Sequence, residues 1–321
     1  MHSHPKLTGM AGADSTMTIA SVREAQSSGA PSALESILLN DWHVVGAVES
    51  LSIGHSYRTR LFGVDIAIEL LGGDRCMVRR LDTGAEIASA TKYGLVWASL
   101  GTPERAIVEI SEAEEEDRHI LTGGAFGVHV SGLRAVENFL DMSHLPFVHA
   151  GYLGAEPHTE ILPYDVEITD QGIVASNCRI YQPLASPVAT DGALVDYVFK
   201  VFRPYAAALY KSNPIQRHRM DFIGLFVQPV DEENCIAHSL LCYLKEGASA
   251  AAIRAYMQFI FAQDKPILDN QRPRRLPLDP RAEMPVRADR SSIMYRRWLT
   301  GLGVRYGALA LEQRAVPAPR S

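Results

Sequence analysis

ENFLDMSHLPFVHAG, residues 137–151, places four chemically active side chains among Leu, Phe, Val and Met. These four are Asn138, Asp141, His144 and His149. Upstream apolar residues recur at helical spacing and predict a helix that begins near Ser131. The same spacing places His144 on the apolar stripe of that helix, and Pro146 should end or kink the helix beside the histidines. The stretch therefore predicts polar groups held at the edge of a core.

A second carboxylate lies far along the chain, in SAAAIRAYMQFIFAQDKPILDNQRP, residues 249–273. Ser249 is a good helix cap, and the segment after it has the length and periodicity of a long helix. One predicted helical face consists of Ile253, Met257, Ile260, Asp264 and Ile267. Asp264 is the one ionisable group in that apolar line, which makes it a candidate for a buried functional site.

His144, His149 and Asp264 have the composition of a two-histidine, one-carboxylate metal site. Such a set occupies one face of an octahedral iron and leaves positions open for O₂ and substrate. Asp141 is placed to accept a hydrogen bond from a ligand imidazole, and Asn138 is expected to support Asp141. Each of these residues, taken alone, more often has a structural role. Their spacing therefore leaves open both a metal site and a purely structural role. The other histidines show no ligand spacing and are interpreted as structural.

Bulk composition excludes several classes of protein. With a net charge of −6 over 321 residues, the chain lacks the basic excess of a general nucleic-acid binder. It has no apolar run long enough to span a bilayer and no secretory signal. Four scattered cysteines do not form a disulfide framework, which favours a cytoplasmic protein. The acidic run in residues 112–117 is interpreted as a solvated face.

The motif N-x-x-D-x-x-H-x₄-H, from Asn138 to His149, resembles the iron motif of the Rieske non-haem iron oxygenases. FAQDKPILDNQRP resembles the late helix of that family, and NDWHVVGAVESL, GLVWASLG and YRRWL resemble other parts of its large (alpha) subunit. The resemblance covers residues 38–312. It implies that His144, His149 and Asp264 bind mononuclear Fe(II), and that Asp141 connects this iron to an electron-donating cluster.

The chain departs from the family where the cluster ligands should lie. A Rieske [2Fe–2S] centre needs two Cys and two His, which the family supplies as C-x-H and C-x-x-H pairs. Here Cys76 stands alone, and no His occurs between His55 and His119. We therefore expect no cluster in this chain. Among family members it resembles the bacterial methylxanthine N-demethylases, in which one oxygenase component lacks the cluster and a reductase carries an extra one.

The fold prediction is α+β. Residues 1–36 are predicted to be a disordered leader, 37–104 a residual β-domain without cluster ligands, 105–315 the catalytic domain, and 316–321 a tail. The catalytic domain is expected to have a helix-grip fold, in which a curved antiparallel sheet closes over the long C-terminal helix. PYAAALYKSNPIQRHR, residues 204–219, is predicted to be an irregular loop over a cavity.

The resemblance implies oxidative N-demethylation of a methylxanthine, 7-methylxanthine giving xanthine and formaldehyde. O₂ and a partner reductase that carries a Rieske cluster would be required, and a homo- or hetero-oligomer with a trimeric core is expected. Two alternatives stay open: a hydroxylase or demethylase of another aromatic substrate, and a non-catalytic subunit of a hetero-oligomeric oxygenase. A ligand-binding protein with an apolar pocket is a third.

Overall fold

The short alternating segments of the N-terminal part form a six-stranded antiparallel sheet. The structure is a computed structural model that describes residues 34–310 except 188, 190 and 246, so almost all of the predicted leader and the whole tail lie outside the described residues. The strands are β1 (His43–Ala47), β2 (Ser56–Leu61), β3 (Val64–Gly72), β4 (Arg75–Arg80), β5 (Glu86–Lys92) and β6 (Leu95–Ser99), in the order β1-β6-β5-β4-β3-β2. This confirms the predicted short strands, whereas the division into a small β-domain that ends at residue 104 and a catalytic domain stays a prediction.

A seven-stranded antiparallel sheet forms the second part. Its strands are β7 (Arg118–Val128), β8 (Asp165–Thr169), β9 (Gly172–Gln182), β10 (Ala193–Arg203), β11 (Ala206–Ser212), β12 (Met220–Pro229) and β13 (Cys235–Leu244). They lie in the order β7-β13-β12-β11-β10-β9-β8. The register shifts in the β13–β7, β10–β9 and β10–β11 pairs, and such bulges bend a sheet. The predicted α+β fold with a curved antiparallel sheet is confirmed.

Five α-helices accompany the two sheets in the described part of the chain. They are α1 (Ser36–Leu39), α2 (Gly132–Leu140), α3 (Leu145–Val148), α4 (Ala250–Asn270) and α5 (Arg290–Gly301). Short 3₁₀ turns cover Val48–Ser50, Ser111–Glu114, Pro280–Ala282 and Arg287–Asp289, and a two-residue parallel pair joins β14 (Leu276–Pro277) to β15 (Ala308–Leu309). Both long predicted helices begin as expected, since Ser131 and Ser249 accept hydrogen bonds from Arg134 N and Ala252 N.

The prediction of one helix from Ser131 past His144 was wrong. Helix α2 ends at Leu140, with Asp141 in extended conformation as its C-cap, and the separate helix α3 follows. Pro146 lies in the first turn of α3, where its missing N–H is not needed. The proline therefore opens a new turn instead of ending the old helix.

The predicted loop at residues 204–219 was also partly wrong, because β11 is a central strand. Its residues are buried on both faces, so no polar alternation marks them. Alanines have weak strand propensity, and here burial between β10 and β12 overrides it. The segment still borders a cavity, as expected, through Leu209 and Lys211.

Apolar and polar contacts join the two sheets. Trp97 of β6 packs edge-on against Phe226 of β12, with ring centroids 5.0 Å apart. Beside this contact, Gln228 Nε2 donates to Thr59 Oγ1 of β2 at 2.7 Å. The opposite face of the larger sheet is thereby left for the helices that carry the candidate site. No helix in the described part of the chain is long and apolar enough to cross a membrane.

Candidate metal centre

Three side chains predicted from distant parts of the sequence meet at one point. His144 Nε2 lies 3.2 Å from His149 Nε2 and 3.3 Å from Asp264 Oδ1, and His149 Nε2 lies 3.1 Å from Asp264 Oδ1. Two ligand atoms at right angles on a metal, with bonds of about 2.1 Å, lie about 3 Å apart. The nearly equilateral triangle therefore matches three ligands on one octahedral face.

The backbone positions the histidines through a turn between two helices. His144 is the residue before α3 and His149 is the residue after it, so one helical turn separates them. Gly154 packs directly against this turn, and a larger residue would not fit, because a Cβ there would lie 2.6 Å from Pro146 Cα. Asp264 reaches the same point from the middle of α4. The side chain of His149 is buried and that of Asp264 is mostly buried, with exposed fractions of 1% and 13%.

Each imidazole is oriented by a hydrogen bond at its other nitrogen. His144 Nδ1 donates to Asp141 Oδ2 at 3.2 Å, and His149 Nδ1 donates to Gln263 Oε1 at 2.9 Å. A proton on each Nδ1 leaves the Nε2 lone pairs directed into the triangle. This is the tautomer and the supporting arrangement that metal-bound histidines use.

The donor set fits a cation on electrostatic grounds. Two nitrogen lone pairs and a carboxylate oxygen face one another at about 3 Å, and such an arrangement needs positive charge between its members. The same geometry attracts a proton. Burial opposes protonation of His144, but the hydrogen bonds to Asp141 and Asp264 outweigh burial and raise its pKa to about 9. Burial is likewise outweighed at Asp264, whose pKa is lowered by the two histidines.

The side chains of Asp141 and Asn138 form hydrogen bonds with different residues. Asp141 Oδ1 accepts a hydrogen bond from Ser143 N at 2.8 Å, and Oδ2 accepts from His144. The expectation that Asn138 supports Asp141 was wrong: its Nδ2 donates to Asp264 Oδ1 at 3.3 Å. The reason is that α2 ends at Leu140, so the two residues do not share a helical face with His144. Asn138 orients the carboxylate of the triangle instead.

The triangle opens onto a cavity of about 110 Å³ between the large sheet and the helices. The walls are mostly apolar and aromatic, with Phe139, Phe199, Leu209, Leu225, Tyr256 and Phe261 among them. Polar groups that sequence reasoning missed also lie here, notably Lys211 and Tyr197 on the sheet. Gln263 and Ser143 were missed as well. Nothing in their spacing distinguishes them from surface residues, since their role depends on where the helices meet.

Comparison with known proteins assigns the chain to a family. Residues 128–305 match the model of the vanillate O-demethylase oxygenase C-terminal domain. A probable methylxanthine N7-demethylase of Pseudomonas sp. (strain TJI-51) is 46% identical over 274 residues, which span 85% of this chain and 97% of that protein. The chain belongs to the Rieske non-haem iron oxygenase family. Members of this family are O₂-dependent oxidoreductases that use non-haem iron.

Two other proteins are less similar to this chain. The methylxanthine N1-demethylase NdmA of Pseudomonas putida is 26% identical, with 66% of this chain and 59% of that protein aligned. Its solved structure from strain CBB5 superimposes with a TM-score of 0.66 at 20% identity, covering 83% of this chain and 91% of that chain. Dicamba monooxygenase bound to 3,6-dichlorosalicylic acid gives 0.65 at 13% identity, covering 83% and 97%. At these identities the structures show a shared fold.

Proposed function

We propose that this protein is the iron-dependent oxygenase component that removes the N7-methyl group of a methylxanthine, converting 7-methylxanthine to xanthine and formaldehyde. The observation that carries the proposal is the 46% identity to a probable methylxanthine N7-demethylase over 97% of that relative. The geometry of the candidate metal centre supports it independently. His144, His149 and Asp264 would hold the iron.

The proposed reaction has a defined balance. The N-methyl group, O₂, two electrons and two protons give an N-hydroxymethyl group and water. The C–N bond of this hemiaminal then breaks, its hydroxyl proton passes to the ring nitrogen, and formaldehyde leaves. When bound, Fe(II) supplies activation of O₂, because a two-histidine, one-carboxylate site leaves coordination positions open. The purine is held in the cavity, whose apolar walls limit access of water to the reacting methyl group.

We infer that electrons come from outside this chain, because the segment between NDWH and GLVW, where the family has its cluster ligands, contains no C-x-H or C-x-x-H pair. The C-x-x-H formed by Cys235 and His238 lies instead within strand β13 of the large sheet. We propose a partner reductase that carries the cluster. Asp141 supports a route for the electrons, since Asp141 and His144 line both the inner cavity and an outer depression. Met284 and Ile267 border that depression with exposed fractions of 94% and 52%, and exposed apolar residues favour a protein contact there.

The cellular setting follows from the same proposal. We place the protein in the cytoplasm, where the buried free thiols of Cys178, Cys235 and Cys242 would stay reduced. A homo- or hetero-oligomer with a trimeric core is the arrangement that the family resemblance implies. The domain limits at residues 37–104 and 105–315 belong to this proposal too.

The direct test combines the iron-loaded chain, a reductase bearing a Rieske cluster, NAD(P)H, O₂ and 7-methylxanthine. We expect xanthine and formaldehyde in equal amounts, and no product from His149→Ala or from a reductase whose cluster has been removed. An iron-loaded chain that turns over no methylxanthine with a competent reductase would contradict the proposal. If the chain instead raised the activity of an associated oxygenase without needing its own iron, the non-catalytic subunit would be the correct alternative.

A further inference from the structure

Lys211 is a charged residue on the wall of the proposed substrate cavity. It belongs to β11, where its Cα pairs with Tyr197 of β10, and both residues border the cavity. The Lys211 residue is only 4% exposed. His144, His149 and Asp264 are carried by the helices that form the other wall. The cavity therefore has an ammonium group on its sheet wall and the candidate metal ligands on its helical wall.

The ammonium of Lys211 is only partly satisfied by the protein. It donates to the carbonyl oxygen of Ala185, which is the one hydrogen-bond acceptor that the described residues provide for it. The nearest acidic group, Asp221, is already engaged: Oδ2 accepts from Asn213 Nδ2 at 2.9 Å, and Oδ1 accepts from Leu244 N at 3.0 Å. An ammonium has three N–H donors. The other two have no acceptor among the described residues, and Lys211 borders the cavity.

Lys211 lies opposite Asp221 in the β11–β12 pair, so its charge is partly balanced, but this neighbour does not occupy its remaining N–H donors. An unpaired ammonium is unfavourable in a buried site, and burial lowers the pKa of Lys211 to about 8, with nearby Asp221 opposing that effect. Leu209 and Leu225 also line the cavity, so an apolar side chain would suit the same wall. A buried donor on the wall of a cavity is a feature of sites that orient a polar ligand.

We propose that Lys211 determines substrate orientation: its ammonium donates to a carbonyl oxygen of the oxopurine and thereby directs one N-methyl group toward His144, His149 and Asp264. This inference rests on the proposed function and adds the residue that selects the methyl group. Tyr197 and Phe199 flank the position on β10 and offer aromatic surface for a planar ring. With the Lys211 donor on one wall and the candidate metal ligands on the other, the purine ring would be held in one orientation.

The test compares Lys211→Met with a matched control, Lys200→Met, in the reconstituted demethylation assay. Methionine keeps an unbranched side chain, shorter by the terminal nitrogen, and removes the donor. Lys200 lies on β10 with its ammonium over the Tyr210 ring, 4.6 Å from the centroid, and does not border the cavity. The measurements are iron content, KM and kcat for 7-methylxanthine, and the ratio of products from a dimethylxanthine.

We expect Lys211→Met to bind iron like the wild type and to raise KM by about 10- to 100-fold, the effect of losing one charged hydrogen bond. The product ratio should also shift, because the ring is free to turn. Lys200→Met should behave like the wild type. A purine analogue that lacks the contacted carbonyl should bind the wild type and Lys211→Met equally, which a structural defect would not produce.

Three outcomes separate this inference from the function on which it rests. A wild type that turns over methylxanthines, with Lys211→Met unchanged in KM and product ratio, overturns the role of Lys211 alone. If Lys211→Met weakens binding equally for every purine analogue, the lysine stabilises the cavity and does not read a carbonyl, and the inference is again wrong. A wild type that neither binds nor demethylates any methylxanthine overturns both proposals.

Discussion

His144 Nδ1 and Asp141 Oδ2 form a hydrogen bond of 3.2 Å at the point where helix α2 ends. Asp141 is the C-cap of that helix, and its other oxygen is held by Ser143 N. The carboxylate is therefore fixed between the candidate metal centre and the outer depression. Burial opposes its ionisation, but the hydrogen bonds from His144 and Ser143 outweigh burial and lower its pKa. Asp141 is thus an anion beside a ligand imidazole.

Asp141→Asn should retain iron but lose reductase-dependent turnover by about 10- to 100-fold, the usual effect of removing a carboxylate behind a metal-bound histidine. The amide can keep a hydrogen bond but not the negative charge. Iron analysis and formaldehyde release measure the two effects. Asp170→Asn, in the exposed turn before β9, is the control. Hydrogen peroxide supplies oxygen and electrons together, so turnover driven by peroxide should fall less. Equal losses in both assays would argue against a role in electron transfer.

Asp264→Ala and His144→Ala should each abolish iron retention, because two ligands seldom hold a labile divalent ion. Each variant removes one corner of a triangle whose edges are 3.1–3.3 Å. His55→Ala, at an exposed position, is the matched control and should bind iron like the wild type. Iron content after anaerobic purification and desalting is the measurement. Full iron in Asp264→Ala would mean that the third ligand has been assigned incorrectly.

The candidate site was more predictable from sequence than its supporting contacts. The spacing of His144 and His149 reflects a local turn, and Asp264 interrupts the apolar face of a helix. Both features can be seen in the sequence. The contact of Asn138 was predicted incorrectly. Its three-residue separation from Asp141 suits two neighbours on one helix, but the helix ends at Leu140. Which carboxylate it contacts depends on the packing of α2 against α4.

In the fold, too, features that local sequence determines were predicted correctly, and features that depend on packing were not. Alternating strands of the small sheet and the cap of α4 were correctly predicted because local sequence determines them. Strand β11 was not predicted, because both of its faces are buried and its sequence shows no polar alternation. The position of Lys211 on the cavity wall was therefore not predicted either. On α4, the predicted apolar line ended at Ile267, but that side chain is 52% exposed and Leu268 is the buried residue. Such details depend on the neighbouring elements.

Glu137 anchors a buried charge cluster beneath the outer depression. Its carboxylate accepts hydrogen bonds from Arg134 Nη1 and Arg296 Nη2, each at 3.0 Å, and thereby links α2 to α5. Glu137→Ala should lower the free energy of unfolding by about 1–3 kcal/mol, because Arg134 and Arg296 each lose one carboxylate partner and keep only Glu283. Glu69→Ala, which breaks a more exposed pair with Arg79, should cost about 1 kcal/mol or less.

Urea denaturation of both variants at neutral pH measures the difference. The variants should unfold with similar m-values if each changes only the native state. A loss at Glu137 no larger than the loss at Glu69 would mean that the cluster contributes little to holding α2 and α5 together.

His238 should make stability sensitive to mild acid. Burial lowers its pKa to about 4 from an ordinary value of 6.5, and its Nε2 donates to Gln228 Oε1 at 3.0 Å. Since the folded-state pKa lies below the unfolded one, the unfolded state binds a proton first as pH falls. Stability is therefore retained above pH 6.5 and lost between pH 6.5 and 4.

This histidine should account for a loss of about 2 kcal/mol between pH 7.5 and pH 5. His238→Gln keeps a donor for Gln228 but cannot be protonated in this range. Urea unfolding of both proteins at the two pH values gives the comparison, in which the carboxylates contribute equally. Parallel pH profiles would show that His238 does not contribute to the acid sensitivity.

The most direct measurement is the iron and acid-labile sulfide content of the anaerobically purified chain, before and after reconstitution with Fe(II). We predict about one iron per chain and no sulfide, with the iron lost in Asp264→Ala, as expected for a mononuclear site without a Rieske cluster. Sulfide together with two further irons would contradict the proposal that the cluster is supplied by a partner. No iron even after reconstitution would contradict the metal centre itself.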